Sequence, residues 1–202
     1  KLTFAYSYRT NRPELFYMEP YITYRDYYTA EIGNPDIRPE YIHSYELNYK
    51  KNIGEQVLQS SLFYRSRKDK IERLRVPYEA GVTLDSMANV GNDHALGMEL
   101  SGQFIVNKWW NLNVNGNVYY YKVVNNINAG GKEETSTNYD ITVNNLLRIC
   151  KNTRIQLDGN FVGPSVTTQG RSDSFWFVNL AIRQQWFGSN LQSTLSFRDI
   201  FN

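Results

Sequence analysis

From His94 onward the side chains alternate between two chemistries. His94, Leu96, Met98, Leu100, Gly102, Phe104 and Val106 fall on one parity, and Ala95, Gly97, Glu99, Ser101, Gln103 and Ile105 on the other. After Asn107-Lys108-Trp109-Trp110, Leu112, Val114, Gly116, Val118 and Tyr120 alternate with Asn111, Asn113, Asn115, Asn117 and Tyr119. A strand sends successive side chains to opposite faces, so each run predicts a strand with one mainly apolar and one polar face. The polar parity is mostly uncharged amide and hydroxyl.

The same pattern predicts about nine strands, at residues 2–9, 41–51, 57–65, 94–106, 111–121, 139–149, 155–161, 176–183 and 191–198. Asn145 interrupts the apolar parity of the sixth. The connections alternate in length. Residues 10–40, 67–93, 125–138 and 163–173 read as long loops, with 71–76 a candidate continuation of a hairpin. Residues 52–55, 107–110, 151–152 and 187–190 read as tight turns. The first loop holds Pro13, Pro20, Pro35 and Pro39, and proline removes a ladder donor. An up-and-down strand order gathers every long loop at one end, the asymmetry of outer-membrane barrels. Trp109, Trp110, Trp186 and Phe187 collect at the short-turn end, where an aromatic girdle belongs.

Composition sharpens this picture in a few places. Aromatics make up 15% of the 202 residues, with 16 tyrosines, which suit pleated and interfacial surfaces. Mean hydropathy is −0.55, and no apolar run is long enough for a spanning helix. A spanning strand needs only about 9–11 residues, half of which can be polar. A net charge of +2 gives no argument for nucleic acid. Cys150 is the lone cysteine, which rules out an internal disulfide framework and reads as a buried or lipid-facing thiol. His43 and His94 stand far apart with no carboxylate at a defined spacing, so neither a catalytic group nor a metal site is expected. Asp36, Glu40, Asp85 and Asp93 read as solvated turn carboxylates, and Arg67-Lys68-Asp69-Lys70 as solvated loop charge. No cofactor is expected. Lys1 leads directly into an alternating run, without the regions of a signal peptide, so either a signal was removed or the chain is cut from something longer; the abrupt stop at Asp199-Ile200-Phe201-Asn202 favours the second expectation.

Several motifs occur in a telling order. Asn11-Arg12-Pro13 follows the first strand, and Gly33-Asn34-Pro35-Asp36-Ile37-Arg38-Pro39-Glu40 leads into Ser44-Tyr45-Glu46-Leu47. Asn89-Val90-Gly91, Gly97-Met98-Glu99-Leu100, Lys108-Trp109-Trp110-Asn111-Leu112 and Ser196-Phe197-Arg198-Asp199-Ile200-Phe201-Asn202 come later. Together they resemble the barrel of TonB-dependent outer-membrane receptors, above all the outer membrane protein beta-barrel group of Bacteroidetes. The resemblance implies a large barrel with an N-terminal plug, energised by TonB, that imports metal chelates, vitamins or glycans. Such transporters have about 22 strands. Residues 1–202 would then be one C-terminal barrel segment without its plug, unable to transport alone.

The expected fold is therefore all-β: an antiparallel up-and-down meander, part of a transmembrane β-barrel or curled into one. The expected location is the outer membrane of a Gram-negative bacterium, with lipid as partner and a small nutrient as ligand. Two unpaired edges would invite an edge-strand dimer of the fragment. A small porin or adhesin barrel, and a soluble β-barrel or sandwich binding module, are the alternatives. The apolar parity faces outward in the membrane readings and inward in the soluble one. For ligand contact, Tyr21, Tyr24, Arg25, Tyr27 and Tyr28 are the candidates, through ring stacking and cation–π contact. A loop packed on itself is the competing reading of those residues. Likewise, the row Asn111, Asn113, Asn115 and Asn117 reads as inner wall before ligand path.

Overall fold

The structure is a computed structural model that describes residues 1–125, 132–167 and 170–201. In chain order its strands are β1 (Leu2–Asn11), β2 (Ile22–Asp26), β3 (Thr29–Ile32), β4 (Glu40–Ile53), β5 (Gln56–Glu79), β6 (Val82–Asn107) and β7 (Trp110–Asn125). They continue with β8 (Lys132–Arg148), β9 (Thr153–Val162), β10 (Ser165–Thr167), β11 (Gly170–Ser172), β12 (Phe175–Trp186) and β13 (Leu191–Phe197). The meander β1-β4-β5-β6-β7-β8-β9-β12-β13 is antiparallel throughout, with β1 and β13 as its open edges. These nine are the strands that the alternation predicts.

Register turns parity into surface. Phe4, Leu47, Leu62, Met98, Val118 and Tyr139 stand in one cross-strand row on the apolar face. Ala5, Glu46, Phe63, Gly97, Tyr119 and Asn138 form the row beside it on the other face. The apolar face is the open one: Phe4 is 67% exposed and Leu62 50%, against 7% for Phe63 and 1% for Ser44. Among the described residues no second layer covers it. A soluble sandwich would bury that parity, because exposed apolar surface in water is unfavourable in proportion to its area. Here the sheet instead shelters its polar parity, in two open hollows of about 400 and 410 Å³. Ser101 donates to Asn115 (2.7 Å) and Asn117 to Asp140 (3.1 Å) along that wall. Gly97 lets the wall close up. A Cβ there would lie 2.3 Å from Tyr119 Cβ, between the rings of Phe63 and Tyr119.

Asn145 sits on the apolar parity without being stranded there. Its amide oxygen accepts the Trp110 indole N–H at 3.1 Å, so the polar group is satisfied before it meets lipid. Trp109 and Trp110 stack at 6.1 Å, and the Trp186 indole donates to Ser193. This is the collar expected at the short-turn end.

Five expectations change. Residues 67–93 are not irregular: β5 runs 24 residues and β6 26, paired almost to their shared tip. At about 3.4 Å per residue such strands reach on the order of 80 Å, far beyond an apolar band about 25 Å tall. The loop at 10–40 holds a 3-10 turn (Leu15–Met18) and the β2–β3 hairpin, whose β3 runs parallel to β6. Residues 132–138 belong to β8, while the rest of that predicted loop, 126–131, lies outside the described residues. Within 163–173, β10 and β11 pair, and Val166 is buried against the polar hollow. Cys150 is exposed in the turn between β8 and β9, its thiol bonded to the Thr153 hydroxyl at 3.0 Å. It is neither buried nor lipid-facing.

Candidate functional site

The long-loop end carries the groups most able to meet a ligand. The β2–β3 hairpin reaches its turn through Asp26, whose carboxylate accepts the Tyr28 N–H at 2.8 Å. That local bond is how Asp initiates turns. Tyr21 is 73% exposed, Tyr27 84%, and Tyr24 and Tyr28 are exposed as well. The rings of Tyr27 and Tyr28 meet edge to face at 5.0 Å. Arg25 does not lie over any of them: its guanidinium pairs with Glu31 at 3.0 Å. The hairpin thus carries Tyr24, Arg25, Tyr27 and Tyr28 on its strand and turn, with Tyr21 at its foot, as aromatic faces open to solvent and a cation already committed to structure. Only Tyr21 lines the cleft of about 30 Å³ beneath, with Phe16, Tyr17, Arg73 and Met87.

Charge holds the hairpin down. The parallel register sets Glu31 beside Asp85, two carboxylates that would repel. Arg75 grips Asp85 through two bonds of 2.7 and 2.8 Å, and Arg73 lies 3.6 Å from Asp85 and 3.8 Å from Glu31. The fork of a guanidinium suits such a bidentate contact. Bonding to Arg75 holds the Asp85 carboxyl below its usual range, against the opposing effect of burial, with Arg73 and Arg25 adding to the shift. Asp85 is 2% exposed, so it is no solvated turn carboxylate. A depressed carboxyl stabilises the fold above its ordinary titration, near pH 4, and loses that contribution as pH falls through the lower folded value. Hydrogen exchange at the β3 amides, relative to their intrinsic rates, should be unchanged from pH 7 to 5 and accelerate below about pH 4. In Asp85→Asn that acid step should vanish.

Sequence reasoning missed a second assembly, at the foot of the β5–β6 extension. The segment from Gly33 to Glu40 rivets the first loop to both long strands. Asn34 donates to the Met87 carbonyl at 3.2 Å, and its own side-chain oxygen accepts the Asp36 N–H. Asn89 accepts the Arg38 N–H and donates to the carbonyls of Arg38 and Asp69. Arg38 pairs with Asp69 at 2.8 Å. Glu40, 2% exposed, accepts from Asn11 at 2.8 Å and from the Ile71 N–H at 2.7 Å, with Arg67 3.5 Å away. Lys70 pairs with Glu72 and donates to the Tyr121 hydroxyl, which donates in turn to buried Asp93. Arg67, Asp69 and Lys70 are therefore ordered partners at a β5 bulge, not solvated charge. Glu40 and Asp93 are likewise buried and paired, and Asp36 remains exposed. The family-like motif was the available signal for this rivet.

His43 and His94 both lie on the apolar parity, apart from this assembly, and no group of metal-binding side chains forms among the described residues. The asparagine row lies on the sheltered wall, as its parity predicts.

Known proteins place this architecture. The ferric enterobactin receptor PfeA of Pseudomonas aeruginosa superposes at a TM-score of 0.67 with 13% identity, over 99% of this chain and 33% of its own. The siderophore receptor PirA of the same organism gives 0.70 and 12%, over 99% and 36%. The ferric yersiniabactin uptake receptor FyuA of Yersinia pestis gives 0.59 and 20%, over 81% and 26%. The chain thus spans about a third of the first receptors it matches, and identities this low establish shared fold. No curated protein matches its sequence. The outer membrane protein beta-barrel family, however, matches from residue 1 to 202. With an apolar face bared to its surroundings and a polar face turned inward, the chain is a member of the outer membrane protein beta-barrel family and resides in the outer membrane.

Proposed function

We propose that residues 1–202 are one wall segment of a larger receptor barrel that imports a small nutrient across the outer membrane, energised by TonB. The observation that carries this is the sheltered polar wall. It has two hollows and is lined by Glu46, Arg65, Glu99 and Asn117, the surface a barrel needs around an internal plug. The Nε of Arg65 is buried without a partner among the described residues, as is the Asn117 side-chain oxygen. Buried polar groups of this kind call for partners, which these side chains would reach by turning toward a plug. β1 and β13 would pair with further strands of the same barrel, which removes the reason for an edge-strand dimer. At the mouth, Tyr21, Tyr24, Tyr27 and Tyr28 offer flat faces to a chelate or sugar, and Arg25 orients their hairpin. The solved neighbours are described as receptors for ferric enterobactin, ferric yersiniabactin and siderophores, so ferric chelates are the first class to assay.

Cells expressing the full-length protein, and cells lacking it, would be given radiolabelled ferric chelates, cobalamin and oligosaccharides in turn. The expected result is protein-dependent accumulation of one compound, abolished by a protonophore while surface binding persists. Replacing Tyr24 and Tyr27 by Ala should weaken that binding by roughly 0.5–1.5 kcal/mol per ring. No energy-dependent uptake of any compound would overturn the transport reading.

A further inference from the structure

The two histidines, remote in sequence, stand at one height on the outer face. Tyr8 pairs in register with His43, His43 with Ser66, Ser66 with His94, and His94 with Lys122. The row runs unbroken across β1, β4, β5, β6 and β7, and Tyr41 and Lys68 face each other one step nearer the long loops. One step the other way are Tyr6, Tyr45, Tyr64, Leu96 and Tyr120, the first row of the apolar belt. The row therefore lies where hydrocarbon gives way to headgroups, at the end that carries the long loops.

Every member of the row can donate a hydrogen bond. The imidazoles are also fixed in place. Tyr6 Oη lies 3.0 Å from His43 Nδ1, and Tyr64 Oη 3.1 Å from His94 Nδ1. Tyr8 and His43 pack at 4.8 Å, and Tyr64 stacks on His94 at 6.2 Å, 10° from parallel. With Nδ1 engaged, Nε2 of each ring has no partner among the described residues. Among the described residues Lys122 holds a single ion pair, 2.8 Å to Glu133, which is itself 57% exposed. Such a pair contributes little and can be displaced. At about 4.8 Å between strands, His43 to Lys122 spans roughly 15 Å. That is too long for one phosphate and suited to a broad headgroup.

We infer that Tyr8, His43, Ser66, His94 and Lys122 form a seat on the barrel's outer wall for the phosphorylated headgroup of an outer-leaflet glycolipid. The Lys122 ammonium, the hydroxyls and the imidazole Nε2 edges meet the phosphate oxygens, and the tyrosine row below meets the first methylenes of the acyl chains. Lys68 flanks the seat from above. Glu133 is the group that competes with the lipid for Lys122. This inference rests on the outward orientation of the face, not on transport.

The test uses the full-length protein in a detergent without phosphate, with native mass spectrometry to count retained lipid. The probes are lipid A, the same lipid A after enzymatic dephosphorylation, and inorganic phosphate. Lipid A should be retained at least about five-fold better than its dephosphorylated form, as expected for about one lysine-equivalent of attraction to an anionic headgroup. Lys122→Gln should remove about five-fold of that retention, and His43→Gln with His94→Gln should lower it further. Lys51→Gln, on the same face but at the short-turn end, should leave it unchanged. Heat-modifiable gel mobility confirms that each variant is folded, and nutrient uptake by these variants should persist, which keeps failure here distinct from failure of the transport reading. Equal retention of dephosphorylated lipid, equal loss from Lys51→Gln, or displacement of lipid A by equimolar inorganic phosphate would overturn the inference.

Discussion

Leu100→Arg in the full-length protein should all but abolish barrel assembly, while Ser101→Arg, one residue on, should be tolerated. Leu100 lies midway along the membrane part of β6, 45% exposed, between Ser60 and Gly116 on the apolar face. Its exposure is to acyl chains. A charged side chain there costs about 2–4 kcal/mol at the bilayer midplane. Gly116 leaves no neighbouring bulk behind which the guanidinium could withdraw, and the headgroups are several residues away in either direction. Ser101 points to the sheltered wall, where it donates to Asn115. Arginine there gives up one exposed hydrogen bond, worth about 1 kcal/mol, and remains hydrated. The fraction of heat-modifiable, folded protein in isolated outer membranes measures both variants. If Ser101→Arg were the damaging change and Leu100→Arg the mild one, the faces would be reversed and the barrel orientation wrong.

That contrast is available because a strand has a period of two. Wherever one face meets lipid and the other water, the sequence must alternate, and all nine membrane strands of the sheet were readable for that reason. The rule ends where the lipid ends. Beyond Arg67 the β5–β6 hairpin has no lipid-facing side, and its register is held by ion pairs such as Arg75 with Asp85, which leave no apolar rhythm. β2 and β3 were hidden for another reason. β2 pairs with β3, and the strand that ties β3 into the sheet, Thr83–Ser86, follows some fifty residues later and runs parallel, whereas local sequence reports only neighbours. The tyrosines of the hairpin were legible as a cluster by composition. The commitment of Arg25 to Glu31 was not, because the choice between a ring and a carboxylate is decided by three-dimensional proximity. The same holds for His43 and His94: no spacing in the chain betrays that a single cross-strand row unites them through Ser66.

Glu40→Ala should loosen the whole mouth, by about 3 kcal/mol. The carboxylate does three things from one buried position. It accepts the Asn11 amide at the end of β1, it accepts the Ile71 N–H just past the β5 bulge, and it lies against Arg67. The bulge is what makes it necessary. The register shifts between Arg67 and Lys70 and again before Ile71, so the ladder cannot satisfy the Ile71 N–H by itself. Alanine would leave that N–H without its acceptor and a partly buried guanidinium with Asp93, 3.7 Å away, as its remaining carboxylate. Breaking a buried charge pair costs about 3–5 kcal/mol, and the lower end applies because Arg67 keeps some contact with water. Glu40→Gln retains an acceptor for Ile71 but not the charge, and should cost about half as much. Because the damage is centred on one rivet, it should be read locally. Amide exchange at Ile71 and through residues 34–40 should accelerate by about two orders of magnitude in Glu40→Ala, with little change in the belt rows of β6 and β7. If exchange at Ile71 were unaltered, the ladder would be holding the bulge without Glu40. The Gly33–Glu40 segment would then lose its role as the fastener between the first loop and the long hairpin.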